Sequence, residues 1–112
     1  MFRFNRYAPV LSLGATCLLL GALAANAQEG NPALGQRLAQ EWCAKCHAIG
    51  LYGDSSLKEA PPFRELHKRY NVEDLAESFA EGIMVGHPTM PQFRFDPDQI
   101  QNLISYLKTL ER

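Results

Sequence analysis

Residues Cys43-Ala44-Lys45-Cys46-His47 are the most informative segment of the chain for both its fold and its chemistry. The stretch has the pattern Cys-x-x-Cys-His, which is the attachment signature of a covalently bound haem. Two thiols at this spacing can add to the two vinyl groups of one haem, and His47 is then held beside the iron as an axial ligand. The motif therefore predicts Cys43, Cys46 and His47 as cofactor-binding residues, and His47 also as a metal ligand.

Three other interpretations of the motif need ligands or a context that the rest of the chain lacks. A zinc site requires about four ligands, and His67 and His87 are the only histidines outside the motif. A thioredoxin-like redox pair is expected within a βαβ pattern, and no segment alternates apolar and polar residues as a strand does. A structural disulfide leaves the histidine of the motif unexplained. The sequence therefore favours haem.

The first 27 residues have the three parts of a secretory signal peptide. A positively charged N-terminal region contains Arg3 and Arg6 and is followed by an apolar run over residues 8–24. Ala25-Asn26-Ala27 then supplies the small residues of a cleavage site. We expect export to the periplasm and cleavage after Ala27. The signal peptide then covers residues 1–27, and one domain remains at 28–112.

Two other fates of the N-terminal segment stay open. A retained membrane anchor needs about 20 apolar residues, and this run is slightly shorter and contains Pro9 and two glycines. The second alternative is lipid attachment at Cys17, but the preceding residues Gly14-Ala15-Thr16 fit a lipoprotein signal poorly. We therefore expect no stable membrane insertion after cleavage.

The remaining domain is close to the lower size limit for a self-sufficient hydrophobic core. A disulfide between Cys43 and Cys46 would close too small a loop to stabilise the fold much, so a large apolar cofactor is the better supplement to the core.

Cleavage of the signal peptide also changes the charge of the protein. It removes Arg3 and Arg6, so the formal net charge changes from −1 to −3. This balance argues against a general nucleic-acid binder, and we expect no nucleic-acid partner.

The spacing of apolar residues predicts an all-α fold. Asn31 and Pro32 favour the start of a helix. Apolar residues then recur at Leu34, Leu38 and Trp42, which predicts about three helical turns that run into the haem motif. Gly35 and Ala39 lie beside them, so another helix could approach closely over Gly35.

Two more helices are predicted beyond a loop at 48–60 and a short helical segment at 63–69. Asn71 can cap the first of them, and Gly82 weakens its end. The last helix begins at Asp96-Pro97-Asp98-Gln99, which combines a cap residue, a proline and a glutamine that can reach back. Its apolar face comprises Ile100, Leu103, Ile104, Leu107 and Leu110.

A second axial ligand is expected, because haem that carries electrons usually has both axial positions filled. The candidates are Met84, Met90, His67 and His87. Met90 is preferred as the second metal ligand, because the prolines on either side stiffen its loop. We expect Met84 to serve packing, His87 to lie near the surface or the haem propionates, and His67 to be solvated.

These features resemble the class I (mitochondrial-type) cytochrome c family, in particular its small bacterial members with one haem. The resemblance covers residues 31–112 and rests on Gly35, the haem motif, Ala60-Pro61, Gly86-His87-Pro88-Thr89-Met90-Pro91, and Leu103 with Tyr106. It implies a small all-α fold in which the N- and C-terminal helices cross at Gly35, with a central helix, around one covalent haem c. It also implies that the Pro61 carbonyl accepts a hydrogen bond from the His47 ring.

The resemblance implies an exported carrier of single electrons between redox protein partners, in a respiratory or dehydrogenase chain. No residue is expected to be catalytic, and binding to partners is expected to be weak, as in other small redox encounters. The alternatives are a cytochrome subunit of a periplasmic oxidoreductase, or a haem enzyme or sensor with an open sixth site. Tyr52, Arg64 and Tyr70 are candidate partners of the haem propionates.

Overall fold

The computed structural model describes residues 29–83 and 87–112. The expected signal peptide and Met84 lie outside these residues. Within them the chain forms three α-helices, α1 (Pro32–Trp42), α2 (Leu75–Glu81) and α3 (Pro97–Thr109), and two 3₁₀ helices, Phe63–Lys68 and Val72–Asp74. The described part contains no strand, so the prediction of an all-α fold is confirmed.

Both terminal helices begin where the sequence predicts. The Asn31 side chain accepts hydrogen bonds from the backbone N–H groups of Ala33 and Leu34, at 2.9 and 3.2 Å. At the start of α3, the backbone N–H of Asp96 donates to the side-chain oxygen of Gln99 at 3.0 Å. Each bond satisfies backbone donors that the first turn of a helix leaves free.

The predicted helix after Asn71 consists of two segments. The Asn71 side chain accepts a hydrogen bond from the N–H of Glu73 at 3.3 Å and caps the 3₁₀ helix Val72–Asp74, which continues directly into α2. The helix ends at Gly82, whose φ of 96° suits a residue without a side chain. None of the helices in the described ranges is long and apolar enough to span a membrane.

The two terminal helices approach each other closely at Gly35. A Cβ atom on Gly35 would lie 1.9 Å from the backbone oxygen of Asn102 and 2.8 Å from the Cβ of Tyr106. Tyr106 is buried beside this contact, and its hydroxyl donates to the backbone oxygen of Ile49 at 2.6 Å. The contact between the terminal helices that the resemblance implies is therefore present, and it also ties the loop after the haem motif to α3.

The buried face of α1 comprises the two small residues of the predicted stripe and only one of its three large residues. Leu34 and Trp42 are 46% and 49% exposed, whereas Gly35, Leu38 and Ala39 are the buried residues of the helix. Because a helix has 3.6 residues per turn, each four-residue step turns about 40° around the axis. The stripe therefore drifts away from α3, and the small residues take the contact.

Candidate haem-binding site

The haem motif continues the last turn of α1. The backbone N–H of Cys43 donates to Ala39 O at 2.8 Å, and those of Cys46 and His47 both donate to Cys43 O, at 3.1 and 2.9 Å. This helical turn brings residues three and four apart onto one face. Cys43, Cys46 and His47 accordingly line one cavity.

The His47 ring is oriented by a backbone carbonyl. Its Nδ1–H donates to Pro61 O at 2.7 Å, the contact that the resemblance implies. The segment that carries this carbonyl is held in place because the N–H of Phe63 donates to Ala48 O at 2.9 Å. With Nδ1 used as a donor, Nε2 keeps its lone pair, which is the arrangement found in histidines that bind metals.

The charge state of the His47 ring also suits a metal ligand. Burial lowers the pKa of His47, the hydrogen bond to Pro61 partly opposes this effect, and the nearby His87 ring lowers the pKa further. Imidazole binds a metal in its neutral form. The cavity therefore favours the form of His47 that can bind iron.

The cavity has a volume of about 570 Å³ and opens to the surface. This size lies within the roughly 300–1,000 Å³ that is usual for cofactor and ligand sites. Apolar side chains from all parts of the fold form most of its lining, among them Phe63, Leu66, Leu75, Phe79, Ile83, Phe93, Leu103 and Leu107. A flat apolar group can therefore complete the hydrophobic core from inside.

The residues around the cavity fit a covalently attached haem. Burial raises the pKa of the Cys43 thiol to about 11, so a thioether, which has no charged form, suits this position. The His87 Nε2 atom is buried without a hydrogen-bond partner. Because buried polar atoms normally have a partner, this nitrogen is free to contact a group bound in the cavity. Sulfur, imidazole and apolar surface are together what a haem with thioether links requires.

The five residues predicted to bind the cofactor all line this one cavity. Met90 and Pro61 line it together with the three motif residues, and Met90 is half-buried. The backbone N–H of Met90 donates to His87 O at 3.0 Å, which closes the turn in which the methionine sits. The assignment of these residues as attachment points and ligands stays a prediction.

The candidate partners of the haem propionates lie in different places. Tyr70 lines the cavity, whereas Tyr52 is 88% exposed and Arg64 donates to Gly53 O at 2.8 Å. Sequence reasoning missed Arg69, which lines the cavity next to Tyr70. A basic residue two positions before the cap residue Asn71 was the signal available, but it does not show which way the side chain points.

Two histidines are more buried than predicted. The His87 side chain is only 9% exposed, and its ring centroid lies 5.8 Å from that of His47. His67, which was expected to be solvated, has its Nδ1 atom buried without a partner. The burial of these histidines depends on how the loops pack. It could not be predicted from the sequence, because their neighbours along the chain are typical of a surface loop.

Comparison with protein families matches residues 32–111 to the family described as Cytochrome c. No curated protein sequence matches the chain. The family match begins at α1 and ends beyond α3, so it covers the haem motif, the cavity and both terminal helices. Members of this family carry haem c, with its iron, in covalent linkage and use it to transfer electrons. The predicted identity is therefore confirmed, and the chain belongs to the cytochrome c family, as a class I c-type cytochrome.

Proposed function

We propose that this chain is an exported carrier of single electrons between redox proteins of a respiratory or dehydrogenase chain. In this proposal one haem c is linked to Cys43 and Cys46, and His47 and Met90 are its axial ligands. The haem supplies an iron that alternates between Fe(III) and Fe(II). The protein holds the group, fills both axial positions and excludes water.

The observation that carries the proposal is that one apolar cavity is lined by the two thiols, by His47 and by Met90. A neutral imidazole and a thioether are both uncharged ligands, and together they raise the reduction potential of haem iron. The apolar lining acts in the same direction, because a medium of low polarity disfavours the more highly charged state. Such a site suits electron transfer.

An exposed aromatic side chain at the cavity supports transfer to a partner. Trp42 lines the cavity, yet it is 49% exposed. Its ring packs edge-on against Phe93 and Phe95, with ring centroids 6.1 and 6.3 Å away. Part of the wall of the site therefore reaches the surface, where a weakly bound redox partner can approach.

Export is supported by the family, since cytochrome c domains typically work outside the cytoplasm. The charged start, apolar run and Ala25-Asn26-Ala27 support a periplasmic destination with cleavage before Gln28. Intact-mass analysis of periplasmic protein tests this part of the proposal. We expect the mass of residues 28–112 plus one haem, and the mass of the full chain would indicate a retained anchor.

Carbon monoxide binding tests the carrier against an enzyme or sensor with an open sixth site. The purified haem protein should cycle repeatedly between its oxidised and reduced forms, and the reduced form should bind carbon monoxide slowly, because Met90 must first leave. Fast binding by the wild-type protein would overturn the carrier proposal. A catalytic chain that co-purifies in fixed ratio would instead favour an oxidoreductase subunit.

A further inference from the structure

His87 faces the same cavity as His47 with one ring nitrogen unused. Its side chain is 9% exposed, and its Nε2 atom is buried and has no hydrogen-bond partner. A buried polar atom without a partner is destabilising, because it has lost its hydrogen bonds to water and gained none in return. A residue placed in this way is expected to receive a partner when the cavity is filled.

The other ring nitrogen of His87 is already engaged. Its Nδ1 atom lies 2.9 Å from the hydroxyl oxygen of Thr89 and 3.9 Å from a carboxylate oxygen of Glu59. In the tautomer whose Nδ1–H donates to the Thr89 hydroxyl, Nε2 keeps its lone pair, as it does in His47, whose Nδ1–H donates to the Pro61 carbonyl. The Glu59 carboxylate is too far away for a hydrogen bond, but its negative charge favours a proton on the nitrogen that it faces. Histidines that bind metals typically have this outer support for the ring.

The distance between the two rings suits a shared metal ion. The centroids of His47 and His87 are 5.8 Å apart, with the ring planes at 52°. Two imidazoles bound to one metal hold their centroids roughly 6 Å apart, since each metal–nitrogen bond is about 2.0–2.1 Å and each nitrogen lies about 1 Å from its ring centre.

We propose that His87 binds the haem iron through Nε2 whenever Met90 does not, so that one loop carries two alternative sixth ligands. The inference rests on the proposed function, in which Met90 is the resting ligand. The exchange would break one iron–sulfur bond and form one iron–nitrogen bond, and with the proton of His87 on Nδ1 it would move no electron and no proton. Met90 N–H donates to His87 O at 3.0 Å, so both ligands belong to one turn and a local movement can exchange them.

The test uses the complete haem protein in which leucine replaces the proposed resting ligand. Met90→Leu removes the sulfur and keeps a side chain of similar volume, a substitution that protein cores usually tolerate well. It is compared with Met90→Leu/His87→Ala, and with Met90→Leu/His67→Ala as the matched control, because His67 does not line the cavity. The measurements are electron paramagnetic resonance of the oxidised protein and the rate of carbon monoxide binding to the reduced protein.

We expect oxidised Met90→Leu and its His67→Ala control to be low-spin, with two nitrogen ligands. Met90→Leu/His87→Ala should be high-spin, and its reduced form should bind carbon monoxide faster. If His87 occupies the site nine-tenths of the time, the increase is about tenfold. A high-spin Met90→Leu protein that binds carbon monoxide as fast as the double variant would overturn the proposal and place His87 at a propionate.

Two further measurements distinguish a failure of this proposal from a failure of the proposed function. If the wild-type protein lacks a Met-to-iron charge-transfer absorption, the Met90 assignment fails. If it is also low-spin and becomes high-spin in His87→Ala, then His87 is the permanent ligand and the exchange is overturned too. Met90→Ala provides a second open-site variant, with the same expected spin states, should Met90→Leu incorporate haem poorly.

Discussion

Replacing Gly35 by alanine tests whether the contact between α1 and α3 holds the fold together. The new Cβ would lie 1.9 Å from Asn102 O and 2.5 Å from its carbonyl carbon, and Cβ atoms essentially never come closer than 3.0 Å to another heavy atom. The obstructing atoms belong to the backbone of α3, so no side-chain rotation relieves the clash. The two helices must separate by about 1 Å or more.

Two opposing effects set the size of the change. Alanine is favoured over glycine inside a helix by about 1 kcal/mol. Forcing an extra methyl group into a closely packed contact costs about 1–3 kcal/mol, and occasionally more. The new Cβ is fixed to the backbone of α1, and the atoms that it meets belong to the backbone of α3, so neither can move without its helix. We therefore place the cost at the upper end of this range or above. The expected net loss is about 2 kcal/mol, which lowers the Tm of a domain of this size by about 8–16 °C.

Denaturant unfolding of the haem protein, followed by haem absorbance and by far-ultraviolet circular dichroism, measures the loss. Gly50→Ala is the matched control, because a Cβ at Gly50 would meet nothing within 4 Å and its φ is not in the left-handed region. Gly50→Ala should leave the stability unchanged or raise it by up to about 1 kcal/mol. Equal stability of Gly35→Ala and Gly50→Ala would refute the reasoning.

Three other variants test the core around the cavity. Cys43→Ala combined with Cys46→Ala should leave the chain largely unfolded, because the core lacks its central apolar group; near-native helicity with a cooperative melt in circular dichroism would contradict this. Leu103→Ala should cost about 2–5 kcal/mol in denaturant unfolding, because Leu103 is completely buried, and a cost well below 1 kcal/mol would argue against the core described. Tyr106→Phe should cost about 0.5–1.5 kcal/mol, because the hydrogen bond to Ile49 O is lost; unchanged stability would mean that water replaces the hydroxyl.

The features that sequence reasoning predicted correctly depend on residues close together in the chain. Asn31 caps α1 through bonds to residues two and three positions away, and Gln99 reaches back three positions to Asp96. The haem motif is equally local, because a single helical turn places its cysteines and histidine on one face. Such features follow from residue type and spacing alone.

The features that it missed depend on contacts between distant segments. The close approach at Gly35 was expected, but the exposure of Leu34 and Trp42 depends on where α3 lies along α1. The orientation of Arg69 and the burial of His87 depend on how the loops on either side of α2 close over the cavity. Neither is encoded in a local pattern, since both residues have polar or proline neighbours that are typical of a surface loop.

The absorption spectrum of the oxidised protein shows whether Met90 binds the haem iron. Met84 and Met90 are the two methionines that remain after the expected signal peptide, so a Met-to-iron charge-transfer absorption must come from one of them. We predict that the wild-type protein and Met84→Leu have this absorption and that Met90→Leu lacks it. Its absence from the wild-type protein, or its persistence in Met90→Leu, would contradict the account of an electron carrier with His47 and Met90 as axial ligands.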